Sequence, residues 1–117
     1  MRILLVDDDA PSAEALREIL ESEGHAVIAA ENGQVALDAL READRVDVIL
    51  LDIMMPVMNG YEFREEQLRD PKLASIPVIV LSADGRTREK AARLSAEHIF
   101  QKPLSAPDLL RVIREYR

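Results

Sequence analysis

Short apolar runs alternate with amphipathic patterns five times along the chain, and this alternation restricts its possible folds more than any other feature. Each apolar run has the length of a strand, and each amphipathic pattern has the period of a helix. Strands that are apolar on both faces, each followed by a helix, form parallel sheets covered by helices on both sides. The sequence therefore predicts an α/β protein with five parallel strands and five helices.

Apolar periodicity, together with glycine, proline and cap residues, sets the boundaries of these elements. The predicted strands are 2–6, 25–30, 46–51, 77–81 and 98–100. The predicted helices are 11–23, 33–43, 61–69, 87–94 and 106–116. Five such units occupy the whole chain, so we expect one domain, residues 1–117, with no output domain inside it.

The charge and composition of the chain exclude several classes of partner. A formal net charge of -7 disfavours non-specific attraction to nucleic acid, so we expect no direct DNA binding. The apolar runs are far shorter than the roughly 20 residues that cross a bilayer, and no signal segment precedes the first strand, so no membrane partner is expected. The chain has no cysteine, which excludes disulfides and thiolate metal sites and fits a cytoplasmic protein.

Polar residues stand at the carboxyl ends of four predicted strands. The first strand runs into three consecutive acids that begin at Asp7, and the third runs into Asp52. The fourth strand ends in Ser82, and the fifth is followed by Lys102. In an open parallel sheet these ends meet at one edge, where ligands bind. We therefore expect the four groups to lie close together.

Several carboxylates at one edge need a compensating charge. Two carboxylates about 4 Å apart repel by roughly 4 kcal/mol at an effective dielectric of about 20. Magnesium suits such a site because it accepts carboxylates, waters and a phosphoryl oxygen as ligands. Lys102 can serve as a point charge for an arriving anionic group, and the Ser82 hydroxyl can donate to that group. These residue types favour phosphoryl chemistry with a carboxylate nucleophile.

Four segments carry a resemblance to a known family over the whole length of the chain. They are "LLVDDD" at 4–9, "LDIMMPVMNG" at 51–60, "PVIVLSA" at 77–83 and "QKP" at 101–103. In this order and spacing they resemble a response-regulator receiver domain of two-component signalling. The resemblance implies a flavodoxin-like, doubly wound five-stranded sheet with the strand order 2-1-3-4-5.

The same resemblance implies a set of metal ligands. Asp52 takes the place of the phosphorylated aspartate. Asp8 is expected to bind Mg²⁺ directly and Asp7 mainly through water, and the third ligand is the backbone carbonyl of Met54. Mn²⁺ is expected to substitute for Mg²⁺. Around the phosphoryl group the resemblance places the Ser82 hydroxyl, the Ala83 backbone N–H and Lys102, with Lys102-Pro103 as a candidate cis peptide bond.

The implied function is that of a signalling domain rather than an enzyme with an external substrate. It accepts a phosphoryl group from a sensor histidine kinase or a histidine phosphotransfer protein and catalyses only its own phosphorylation and dephosphorylation. It then binds an unidentified downstream protein or relays the phosphoryl group. The family also implies a monomer or a weak dimer through the face of the fourth helix, fifth strand and fifth helix.

Two positions depart from the family pattern. Ile99 occupies the place of an aromatic residue that commonly takes part in switching, and the neighbouring Phe100 should point to the other face of the sheet. We expect the output face to respond through the packing of Ile99. Ser95-Ala96 stands where a glycine is common before the fifth strand.

Two other functions compete with this one. Asp7 and Asp9, two apart after a strand, suggest a haloacid-dehalogenase-type phosphohydrolase, but Pro11 stands where that motif carries threonine or valine. A flavin-binding flavodoxin-like module needs a phosphate loop after the first strand, where acids would repel a phosphate.

Simple structural roles are also predicted for several segments. Asp9 is expected to cap the first helix. Asn59-Gly60 is expected to form a turn, and "REEQLRD" at 64–70 a solvated helix face.

Overall fold

Within the residues that the structure describes, ten elements alternate between strand and helix, as the sequence predicts. The computed structural model describes residues 1–82, 87–96, 98–101 and 105–116. The strands are β1 (Arg2–Val6), β2 (Ala26–Ala30), β3 (Val48–Asp52), β4 (Val78–Ser82) and β5 (His98–Gln101). The helices are α1 (Ala10–Ser22), α2 (Gly33–Glu42), α3 (Gly60–Arg69), α4 (Thr87–Leu94) and α5 (Ala106–Arg114). All strand pairs are parallel and their order is β2-β1-β3-β4-β5, which confirms the predicted architecture.

Helices cover both faces of the sheet, and alternate residues of each central strand contact opposite layers. One apolar cluster joins β1, β3 and β4 to α2, α3 and α4, and includes Leu4, Ile49 and Phe63. The other joins the opposite faces of the same strands to α1 and α5, and includes Leu50 and Ile113. Within the described residues, no helix is both long enough and apolar enough to cross a membrane.

β5 follows the same alternation. Ile99 packs against the cluster of α2, α3 and α4, whereas Phe100 packs against the cluster of α1 and α5. The predicted opposition of these two side chains is therefore confirmed. On the neighbouring helix α4, the sequence pattern predicts that Ala91, Ala92 and Leu94 face inward. Leu94 is buried, but the prediction is wrong for Ala92, which is exposed, and the side chain of Ala91 lies outside the described part of the chain.

The boundaries of β3 differ from the predicted 46–51. The strand begins at Val48 and includes Asp52, which pairs with Leu81 of β4. Asp47 stands just before it and accepts hydrogen bonds from the Arg2 backbone N–H and Arg45 Nε, both at 2.7 Å. Partial burial alone would raise the pKa of the Asp47 carboxyl. These two hydrogen bonds and the charge of Arg45 outweigh burial and hold that pKa below its ordinary value.

The prediction of a solvated face for 64–70 is wrong at two positions. Arg64 is 8% exposed and Gln67 is fully buried. Gln67 Nε2 donates to the carbonyls of Leu73 (2.9 Å) and Ile76 (3.0 Å), which lie in the connection from α3 to β4. Buried polar side chains need such partners. Backbone carbonyls supply most of them here, and every residue type offers a carbonyl, so the sequence does not indicate the burial.

Candidate functional site

Three carboxylates meet at the carboxyl edge of the sheet. Asp7, Asp8 and Asp52 each offer one oxygen, and these oxygens all lie within 4.8 Å of one another. Asp7 is 5% exposed and Asp52 is 7% exposed, whereas Asp8 is open to solvent. The structure thus brings together the three acids that the sequence placed at one site.

Strand register explains why these acids meet. Val6 of β1 pairs with Leu51 of β3, so the next residues, Asp7 and Asp52, lie side by side at the carboxyl ends of these strands. The Asp9 backbone N–H donates to Asp7 Oδ1 at 2.9 Å, and the Met54 backbone N–H donates to Asp52 Oδ1 at 3.3 Å. These bonds orient the carboxylates of both buried acids.

Ser82 ends β4, which is the next strand beyond β3, and it is buried. Its place at the same sheet edge agrees with the prediction. Two other predicted groups, Lys102 and Ala83, lie outside the described residues, and so does Pro103.

Asp9 has the structural role that the sequence predicts. It is the N-cap of α1, and its carboxylate accepts a hydrogen bond from the Ser12 backbone N–H at 3.2 Å. Among the described residues, the acidic cluster contains Asp7, Asp8 and Asp52 but not Asp9. A haloacid-dehalogenase site would require Asp7 and Asp9 to act together as nucleophile and acid. The position of Asp9 outside the cluster gives that function no support.

Hydrogen bonds at the first turn of α3 hold the segment after Asp52 in place. Asn59-Gly60 is more than the predicted turn, because Asn59 is the N-cap of α3 in a capping box with Glu62. The Gly60 N–H donates to the Ile53 carbonyl at 2.8 Å. A Cβ at position 60 would lie 2.8 Å from Ile53 Cα and 2.9 Å from the Asp52 carbonyl oxygen. The Asn-x-x-Glu spacing could have revealed this cap from the sequence.

Val57, at the tip of the loop between β3 and α3, has an unfavourable backbone conformation. Its φ is 69°, in the left-handed region that a β-branched residue rarely adopts. The Met58 N–H donates to the Pro56 carbonyl at 2.8 Å and closes a tight turn around Val57. The Val57 side chain is 81% exposed and the Met54 side chain 72% exposed. Apolar burial therefore offsets little of the strain at Val57.

Substituting Val57→Gly is expected to stabilise the protein by about 1 kcal/mol. Relief of left-handed strain of about 1–3 kcal/mol should exceed the added entropy of an unfolded glycine, about 0.5–1 kcal/mol. Urea denaturation would measure the difference. Val57→Ala is the matched control, because alanine keeps a Cβ and should recover only a fraction of the gain. A glycine variant less stable than the parent would show that Val57 is not strained.

The donor set fits a hard divalent cation. All three clustered side chains are carboxylates, and oxygen ligands of this kind suit Mg²⁺. Three acids so close together also repel one another, and a cation between them removes that repulsion. The clustered acids are therefore the residues that could hold a metal.

Comparison with known proteins identifies relatives with the same architecture. The family model "Response regulator receiver domain" matches residues 3–114. Protein PilH of Pseudomonas aeruginosa is 35% identical, with 96% of this chain and 93% of PilH covered. The transcriptional regulatory protein CpxR of Escherichia coli is 40% identical over 97% of this chain, which spans 47% of CpxR.

A solved structure extends the similarity to the arrangement in space. The response regulator TrrA of Thermotoga maritima, in complex with Mg²⁺–BeF, superposes with a TM-score of 0.87. It is 30% identical, with 99% of this chain and 98% of TrrA covered. Since the family model spans nearly all of the chain, the chain belongs to the response regulator receiver domain family of two-component signalling.

Proposed function

We propose that Asp52 accepts a phosphoryl group from a phosphohistidine on a sensor histidine kinase or a histidine phosphotransfer protein. The position of Asp52 carries the proposal. It ends the central strand β3, and its carboxylate lies within 4.8 Å of the carboxylates of Asp7 and Asp8. The hydrogen bond from the Met54 N–H gives this carboxylate a fixed direction, as a nucleophile requires.

The proposed transfer is a single displacement at phosphorus. A carboxylate oxygen of Asp52 forms the new O–P bond while the P–N bond to the donor imidazole breaks, and the electron pair stays on that nitrogen. Water later attacks the phosphorus, which restores the carboxylate and releases inorganic phosphate. The chain thus catalyses only its own phosphorylation and dephosphorylation.

Four residues would hold Mg²⁺ at this site. We assign direct ligation to Asp8, Asp52 and the Met54 carbonyl, and contact through water to Asp7. When bound, Mg²⁺ would offset the charge of the acids and of the phosphoryl oxygens. The Mg²⁺–BeF complex of TrrA supports this metal. Mn²⁺ accepts the same oxygen ligands and is expected to replace it.

Three further groups belong to the proposed phosphoryl site. The Ser82 hydroxyl, at the end of the strand next to β3, is expected to donate to a phosphoryl oxygen. The resemblance adds the Ala83 backbone N–H and the charge of Lys102. These groups would stabilise negative charge that grows on the phosphoryl oxygens during transfer.

We assign the output to contacts made by the face of α4, β5 and α5. Ile99 of β5 packs against the apolar cluster of α2, α3 and α4, so a shift of α4 would alter the packing around Ile99. The partner would be a downstream protein or a second copy in a weak dimer. We also propose that the protein is cytoplasmic and that residues 1–117 form a single domain.

Mass spectrometry after incubation with Mg²⁺ and acetyl phosphate tests the assignment. One added phosphoryl group, mapped by peptide analysis to Asp52, is the expected result. A parallel sample with a chelator in place of Mg²⁺ should gain far less. A phosphoryl group on any other residue, or none even with a phosphohistidine donor, would contradict the proposal.

A further inference from the structure

Arg64 is a buried cation on α3 that the phosphoryl chemistry does not use. Among the described residues, its acceptors come from two parts of the chain. Nη1 donates to Gln67 Oε1 at 2.7 Å within the same helix. Nε donates to the Leu94 carbonyl at 2.8 Å, and Nη2 donates to the Ser95 carbonyl at 3.2 Å. Arg64 therefore connects α3 to the end of α4, thirty residues away.

The acceptors of Arg64 are at the C-terminal end of α4. Leu94 is the last residue of the helix, and its carbonyl has no partner within the helix. This end also carries the negative pole of the helix dipole, which favours a cation. The Arg64 guanidinium thus acts as a cap that a neighbouring helix supplies.

Ser95, the residue that follows α4, makes this cap important. Its φ is 53°, a left-handed conformation that usually belongs to glycine at the end of a helix. Serine adopts it at a conformational cost. The hydrogen bond from Arg64 to the Ser95 carbonyl favours this conformation and so offsets part of the cost.

A further described contact of α4 lies at the same end. Among its described side chains, Leu94 is buried, whereas Glu89, Ala92 and Arg93 are exposed. The Arg93 guanidinium stacks over the Tyr61 ring of α3 with its carbon 3.8 Å from the ring centroid. A helix as short as α4 is marginal without tertiary contacts. Its position therefore depends on tertiary contacts, among them those of Arg64 and Arg93 near its C-terminus.

We propose that Arg64 is a positioning residue that fixes the C-terminal end of α4, and that α4 moves about this end when the site is phosphorylated. The fixed end also sets where β5 begins, because only three residues separate Leu94 from His98. The second half of the inference rests on the phosphorylation proposed above. The first half concerns the protein without metal or phosphoryl group and is testable alone.

Hydrogen exchange of individual amides in metal-free protein tests the first half. Arg64→Met is expected to speed exchange at residues 92–96 and 98–101 by about tenfold or more, with β1 and β3 little changed. Arg69→Met is the matched control, because Arg69 lies on the same helix and forms an exposed ion pair with Glu66. It should leave exchange in α4 unchanged.

Two further variants separate positioning from general destabilisation. Leu20→Ala, in the apolar cluster on the opposite face of the sheet, should speed exchange throughout the core rather than in α4 alone. Adding Ser95→Gly to Arg64→Met should restore part of the slow exchange, since glycine needs no help to adopt the left-handed conformation. Uniform acceleration in Arg64→Met, or no change at 92–96, would overturn the role of Arg64.

Addition of Mg²⁺ and beryllofluoride tests the second half. In the parent, exchange should change in the first turn of α4 and stay within about twofold at Leu94 and Ser95. An equal change in exchange at both ends of α4 would contradict the proposal that its C-terminal end stays fixed. No change anywhere would overturn the motion and count against the phosphorylation proposal, while the metal-free experiment would still decide the role of Arg64.

Discussion

Replacing Asp52 with asparagine is expected to abolish phosphorylation and, in the absence of metal, to make the protein more stable. Asparagine keeps the shape and the acceptor for the Met54 N–H, but it removes the nucleophilic charge. It also removes one of three carboxylates whose oxygens lie within 4.8 Å. At that separation two charges repel by roughly 3 kcal/mol at an effective dielectric of about 20. The proposed charge of Lys102 and the solvent around Asp8 offset part of this, so we expect a gain of about 1–2 kcal/mol.

Magnesium should reverse the order of stability of the two proteins. At a free concentration about 100 times its dissociation constant, a ligand stabilises the native state by about 2.7 kcal/mol. The parent should gain this and Asp52→Asn should gain much less. Urea denaturation with and without Mg²⁺ measures both effects. Asp44→Asn is the control, because it removes an exposed acid away from the cluster and should preserve the metal response.

Two results would contradict this account of the site. Phosphorylation of Asp52→Asn under the same conditions would show that another residue is the acceptor. An equal gain in stability from Mg²⁺ in the parent and the variant would show that the cation binds elsewhere.

Gly60→Ala is expected to disturb the same site by displacing the backbone of Asp52 and Ile53. The new methyl group would lie 2.8 Å from Ile53 Cα and 2.9 Å from the Asp52 carbonyl oxygen, both closer than atoms can pack. Because both neighbours are backbone, no side-chain rotation can make room. Overpacking of this kind costs about 1–3 kcal/mol. The displaced strand end should also lower the rate of phosphorylation by about tenfold to a hundredfold, because small misplacements of a reacting group have large effects.

Gly24→Ala separates the two consequences of Gly60→Ala. Gly24 has a φ of 89°, and a Cβ there would meet no atom within 4 Å. Alanine at position 24 should therefore cost about 1 kcal/mol through backbone strain but leave phosphorylation and Mg²⁺ affinity unchanged. Urea denaturation and the rate of phosphorylation by acetyl phosphate are the two measurements. A Gly60→Ala variant with normal values of both would show that the loop moves aside freely.

The sequence predicts the sheet well because the signal for each central strand is local. The runs at 3–6 and 48–51 are apolar at every position, and only a sheet covered on both faces buries such strands. The acids that follow these runs meet because parallel strands end at one edge. The amino-acid order alone therefore suffices to assign Asp7, Asp8 and Asp52 to one site.

The sequence could not reveal contacts that a side chain makes with a distant backbone group, because a backbone group leaves no pattern in the sequence. Arg64 and Gln67 have the spacing of solvated helix residues, yet the backbone carbonyls of Leu73 and Leu94 are among their acceptors. Every residue type offers such a carbonyl. The close approach of Gly60 to β3 is hidden for a similar reason, since a glycine after asparagine is also typical of an ordinary turn.

The order of the strands has a consequence for the sequence of events in folding. β1 and β3 are the one pair of neighbours in the sheet that do not follow one another along the chain, so their pairing joins two continuous halves. Asp7 and Asp8 belong to the first half, and Asp52 to the second. A cation that needs all three can bind only after the halves have docked. It would therefore act late, slowing the separation of the halves during unfolding rather than guiding their encounter.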